Sequence, residues 1–193
     1  MRRNPLLFAP LVVLCACAGP PRVRTIVPGF TGIELVRLEN DALSSPGAVV
    51  TRLEFNVERA DSLGDPRGSQ VLIDATASPA LQIRAGEPLR MRVNGDTLSL
   101  PMLALPVERT VLAGHITERA RYRITDEQLE TLAAADSASI RVRGSAFTAR
   151  GRFRPGNFAA LRNFLTRSEA AAAAARAAAP PPSSDQPESG SRP

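Results

Sequence analysis

The stretch Leu89-Arg90-Met91-Arg92-Val93-Asn94-Gly95-Asp96-Thr97-Leu98-Ser99-Leu100 constrains the fold more than any other part of the chain. Apolar and polar side chains alternate on both sides of Asn-Gly, and only a strand sends successive residues to opposite faces. Asn-Gly is the preferred two-residue hairpin turn, because both residues tolerate the positive φ that a type I′ turn demands. The stretch therefore predicts two antiparallel strands with one apolar face. A chain that contains it must build a sheet and cover one side of it.

The same period recurs elsewhere. Arg52 to Glu58 alternates strictly, so Leu53, Phe55 and Val57 share a face. Ile33–Glu39 and Val71–Ala77 read as strands beside it, separated by the turn-forming runs Ser44-Ser45-Pro46-Gly47 and Gly64-Asp65-Pro66-Arg67-Gly68. Arg119–Ile124 alternates again, and Thr125-Asp126-Glu127-Gln128 has the form of a capping box. The helix it opens places Leu129, Leu132 and Ala133 on one side and should end near Asp136. Ser139–Arg143 and Phe147–Arg154 predict a second hairpin across Gly144-Ser145. Pro155-Gly156-Asn157 then begins another helix, with Asn157 as its cap and Phe158, Leu161 and Leu165 as its buried stripe, flanked by Phe164.

Residues 101–118 are less legible. Pro101 and Pro106 interrupt pairing, and Thr110–Ile116 reads as one strand. The expected fold is α+β: an antiparallel sheet, sandwich-like or half-barrel, with two packed C-terminal helices. Residues 31–168 form the domain. Residues 169–193 are an alanine-rich extension, helical up to the Pro180-Pro181-Pro182 stop, followed by a polar tail.

All 24 basic residues are arginine. Residues 90–154 hold eleven of them against seven acids, whereas residues 18–89 hold seven against nine. The C-terminal arginines also keep strand parity. Arg90, Arg92, Arg119, Arg121, Arg123, Arg141, Arg143, Arg150, Arg152 and Arg154 each oppose an apolar neighbour and should point outward. If their strands are adjacent, the ten form one basic panel, with like charges staggered or screened by acids such as Glu54 and Glu58. Two readings stand: a solvated face, or a surface that recognises phosphate or carboxylate groups through planar guanidinium forks.

The residues of catalysis and metal binding are sparse. His115 is the single histidine, no serine sits in a G-x-S-x-G elbow, and no His/Cys/Asp/Glu spacing matches a metal site. His115 reads as a half-buried strand residue, with a hydrolase centred on it as the alternative. No catalytic residue, metal ligand or cofactor is assigned.

The N-terminus carries an address. Arg2 and Arg3 precede an apolar run from Leu6 to Ala18, shorter than the roughly 20 residues a bilayer requires but suited to a signal sequence. Both cysteines lie in it, in Leu14-Cys15-Ala16-Cys17. A pair two residues apart supplies only half a structural zinc site, and a disulfide between them would be strained. The tetrad resembles the lipobox of bacterial lipoproteins. The resemblance implies cleavage between Ala16 and Cys17, so that 1–16 is a signal peptide, Cys17 bears lipid and 17–30 is a tether. It also implies an exported, membrane-anchored protein, with Ala18 favouring the outer membrane over the inner. Its partners would be the membrane and an acidic envelope component or protein. Export and the want of exposed aromatic residues argue against nucleic acid.

Overall fold

The computed structural model describes residues 20–26, 34–45, 49–61 and 69–178. Their order is β1 (Arg22–Ile26), β2 (Glu34–Glu39), β3 (Val50–Asp61), β4 (Ser69–Ala77), β5 (Leu89–Val93), β6 (Asp96–Leu100), β7 (Glu108–Leu112), β8 (His115–Ile124), α1 (Asp126–Ala133), β9 (Ala138–Arg143), β10 (Thr148–Arg152) and α2 (Pro155–Ala178). The lipobox, the Gly64–Gly68 turn and the polar tail lie outside the described residues. No described helix is long and apolar enough to cross a membrane.

The strands form two antiparallel sheets. A curled six-strand half-barrel has the order β1-β2-β3-β4-β8-β7, and a four-strand sheet has the order β10-β9-β5-β6. With the two helices this is an α+β fold. Alternation sets which side is covered. Leu53, Phe55 and Val57 of β3 lie inward with Val71 and Ile73 of β4 and Tyr122 of β8, against Leu89 and Met91 of β5 and Ile140 and Val142 of β9.

The sheets are stitched together at both corners by chain that leaves one and enters the other. Beyond β6, Pro101 and Leu103 exchange backbone hydrogen bonds with Arg123 and Arg121 of β8. Beyond β2, Ser44 pairs with Arg152 of β10 at 3.0 and 2.8 Å, after Leu43 has bonded Leu53 of β3. At Gly151 the sheets lie close together. A Cβ there would stand 2.8 Å from Leu43 Cδ1 and 2.9 Å from Leu53 Cδ2, so only glycine fits without movement.

Helix α1 begins at the expected capping box: Thr125 Oγ1 accepts from Gln128 N–H, and Gln128 Oε1 accepts from Thr125 N–H. It ends at Ala133, three residues earlier than expected, where Arg162 of α2 donates to the Ala133 carbonyl at 2.9 Å. Helix α2 buries Phe158, Leu161 and Phe164. Phe164 rather than Leu165 completes the stripe, because the helix meets β2 and β1 along an i, i+3, i+6 line. The alanine-rich run continues the same helix to Ala178.

Three expectations change. Arg22–Ile26 lies within the expected tether, yet it pairs with all of β2 from Leu35 to Glu39, so ordered structure starts earlier. Thr110–Ile116 is not one strand but a hairpin, with Ala113 and Gly114 at φ +49° and +78° between β7 and β8. Asn157 lies in the first turn of α2 rather than at its cap. Its Oδ1 accepts from Arg154 N–H at 2.6 Å, the N3-to-cap half of a capping box.

Candidate anion-binding face

The ten outward arginines do not form one panel, because their strands belong to different sheets. Arg119, Arg121 and Arg123 lie on β8 in the half-barrel. Arg90, Arg92, Arg141, Arg143, Arg150 and Arg152 lie on β5, β9 and β10 in the smaller sheet. Arg154 stands in the turn before α2. Strand parity reports which side of its own strand a residue faces, and is silent about which sheet that strand joins.

On the half-barrel Arg119, Arg121 and Arg37 meet acids on neighbouring strands, whereas Arg123 has no acid partner among the described residues. Arg119 clasps Asp74 with two bonds, Nε–Oδ1 at 2.7 Å and Nη2–Oδ2 at 2.9 Å. Asn56 Nδ2 donates to the same carboxylate at 3.0 Å and to Glu54 at 3.1 Å, and Arg52 pairs with Glu54. Arg37 reaches Glu58 at 3.0 Å, and Arg121 reaches Glu108 at 2.6 Å. Glu54 and Glu58 thus serve this face and screen nothing on the other sheet. With Asp74 they are buried while ionised partners surround them, the condition under which a buried carboxylate is tolerated.

Beneath this network sits Asp41, fully buried at the end of β2. Its Oδ1 accepts from Asn157 Nδ2 at 2.7 Å, while its Oδ2 has no partner. Burial pushes its carboxyl up to about 7; the Asn157 bond opposes the shift and the Glu54 charge adds to it.

The smaller sheet is arranged differently. Arg150 of β10 lies directly opposite Arg141 of β9, and Arg141 directly opposite Arg90 of β5. The next row along the strands is Arg152, Ser139, Arg92 and Thr97. Like charges in direct register destabilise a sheet, typically by a few tenths of a kcal/mol up to about 1 kcal/mol per pair. Here they are neither staggered nor screened. Among the described residues, no carboxylate pairs with Arg90, Arg92, Arg141, Arg150 or Arg152, and the side chain of Arg92 touches only the Gly95 carbonyl, at 3.4 Å. Arg143 alone has an acid, Glu87, at 3.0 Å. The five arginines, with Thr97 and Ser139, line an open groove of about 550 Å³. No family model, curated protein or solved structure matches this chain.

Chemically, the groove offers rigid N–H forks and two hydroxyls on a stiff backbone, with no aromatic platform. That donor set suits anions with several oxygens, since a guanidinium binds a carboxylate or phosphate through two parallel bonds. The lining of the groove holds no carboxylate or imidazole that could activate either hydroxyl as a nucleophile. His115 is a strand residue as expected, the first of β8 and paired with Leu112, but it is exposed rather than half-buried. Its side chain forms no hydrogen bond or ion pair among the described residues. Nor do three potential metal ligands gather anywhere among those residues. Cys17 lies outside them.

Proposed function

We propose that this chain is a lipid-anchored, non-enzymatic protein of a bacterial cell envelope whose smaller sheet binds a phosphate- or carboxylate-bearing envelope component. The observation that carries the reading is the Arg150–Arg141–Arg90 row, three cations in cross-strand register with no acid among the described residues to neutralise them. A sheet that holds such a row against its own repulsion gains most when an anion lies across it. The lipobox-like Leu14-Cys15-Ala16-Cys17 supports the location, and the absence of an aromatic stack in the groove disfavours a nucleic acid partner.

Binding of the full chain to polyphosphate and to polygalacturonate tests this and separates a phosphate from a carboxylate preference. Affinity should fall steeply with added salt. The triple variant Arg90→Ser/Arg141→Ser/Arg150→Ser should lose at least ~100-fold, since bonds to charged groups contribute about 1.5–3 kcal/mol each. Arg119→Ser/Arg121→Ser should bind as the unaltered chain does. Equal losses from both variants would reduce the effect to net charge and overturn the reading. For the anchor, Cys17→Ala should abolish fatty-acid labelling and release the protein from membranes.

A further inference from the structure

The β7–β8 turn breaks two ordinary rules at once. Type I′ turns favour Asn, Asp or Gly at their first central position, because a Cβ is costly at positive φ, yet Ala113 occupies it at φ +49°. The residues before it, Val111 and Leu112, are 70% and 77% exposed, the most exposed large apolar side chains among the described residues. The Asn94-Gly95 turn has the same signs of φ but a structural reason for its residue: Asn94 Oδ1 accepts from Asp136 and Ser137 N–H, both at 3.0 Å. Ala113 ties nothing. What distinguishes its turn is that the tip stays apolar.

The tip also lies at a particular end of the half-barrel. Val111 is opposite Ile116, Ile116 opposite Ala77, and Ala77 opposite Val50, so β7, β8, β4 and β3 share that end. Val49, 42% exposed, lies there too. Strand β1 runs in the same direction as β3, since each is antiparallel to β2, so the chain enters β1 from this end. Arg22, where β1 starts, is opposite Glu39, one step beyond the Leu38–Val57 pair. That row passes through Leu72 and Arg121, five residues from Ile116, or about 17 Å along the strands. Cys17 precedes Arg22 by five residues, a reach of at most ~18 Å. A lipid on Cys17 can therefore lie level with the Val111–Leu112 tip, and it can do so only at this end of the sheet.

We propose that the β7–β8 tip is a membrane contact: Val111, Leu112 and Ala113 dip into the surface of the bilayer that holds the chain, giving the tethered domain a second footing and a fixed orientation. The orientation argument rests on Cys17 as the anchor. Exposed apolar residues at a two-residue turn, with His115 and the half-exposed Arg109, which is paired with Glu118 at 2.8 Å, on either side to remain among headgroups, have the character of an interfacial loop. An asparagine at position 113 would relax the turn but carry an amide into the acyl boundary, at the desolvation cost of an unpaired polar group.

The chain contains no tryptophan, which supplies the test. Leu112→Trp in the full chain introduces a single indole at the tip, and Asp96→Trp places one at the opposite hairpin turn as a control. Each variant is prepared with vesicles of phosphatidylethanolamine and phosphatidylglycerol, with and without brominated acyl chains. Leu112→Trp emission should shift to the blue on vesicles and lose most of its intensity to bromine, while Asp96→Trp should do neither. Adding Val111→Ser should reduce both responses. Water-like, unquenched emission from membrane-bound Leu112→Trp overturns the proposal. A blue shift without vesicles that grows with protein concentration overturns it as well, in favour of a second copy of the chain. Fatty-acid labelling of the same preparations judges the anchor separately. If Cys17 carries no lipid, emission of the unacylated chain on added vesicles still decides the tip, shifted and quenched in support or unchanged against.

Discussion

Two faces of one molecule carry arginines at the same strand parity and use them in opposite ways. On the half-barrel, Arg119, Arg37 and Arg121 each meet a carboxylate from a neighbouring strand and Arg52 meets Glu54 of its own strand, and of these acids Asp74, Glu58 and Glu54 are buried. On the smaller sheet, Arg150, Arg141 and Arg90 meet one another. Apart from Arg123, the first face is electrically closed and belongs to the stability of the fold. The second is open, carries repulsion, and has spare donors. An arginine count treats the two alike; the identity of the cross-strand neighbour tells them apart.

The largest effect expected from the closed face concerns Asp41 beneath it. Burial raises its carboxyl from 3.8 to about 7 in the folded chain, so the folded state holds the proton more tightly between those limits. The contribution of Asp41 to stability is therefore full below about pH 4, falls as pH rises towards 7 and is lost above it, by on the order of 4 kcal/mol in all. Asp41→Asn should flatten that slope and raise the chemical-denaturation midpoint at pH 8. An unchanged slope would mean that the unpartnered Oδ2 finds water and that the closed face does not extend so deep.

Next comes a direct contrast between the faces. Asp74→Ala leaves Arg119 and Asn56 without their shared acceptor and should cost about 2 kcal/mol, the half-exposed guanidinium retaining some water. Arg141→Ser removes the central cation of the open row and should leave stability unchanged or raise it by up to ~1 kcal/mol. Urea midpoints of the two variants measure both, and similar losses would erase the distinction between the two faces.

The smallest effect would sharpen it. Glu87 is the one acid serving the open sheet among the described residues, through Arg143. Glu87→Ala should alter stability by less than ~0.5 kcal/mol, as exposed pairs do, while tightening polyphosphate binding about two- to threefold by freeing a further guanidinium. Weaker binding would place Arg143 outside the site.

Much of this fold was legible because local chemistry and tertiary need agreed. Asn94-Gly95 marked its hairpin to the residue, and Thr125 with Gln128 marked the start of α1. The β7–β8 hairpin was not legible, since Ala113 is a poor marker for a turn and Pro101 and Pro106 obscured a chain that nonetheless bonds along β8. Strand β1 follows two prolines and is held largely by β2 and α2, so its sequence alone gave little sign of pairing. The candidate site was half legible. Parity picked out the outward arginines, yet the split into two faces depends on strand order, which no single strand encodes. The Arg150–Arg141–Arg90 row needs the register of three strands from distant parts of the chain.

Gly151 sits between Arg150 and Arg152, with its missing side chain turned towards Leu43 and Leu53. The spacing of the guanidinium rows is thus governed from the core, by how closely two sheets can lie. Added bulk at Gly151, Leu43 or Leu53 would tilt β10 and change the pitch of the charges without touching any of them. The preference of the proposed anion site would then drift through mutations that look, from outside, like mere packing.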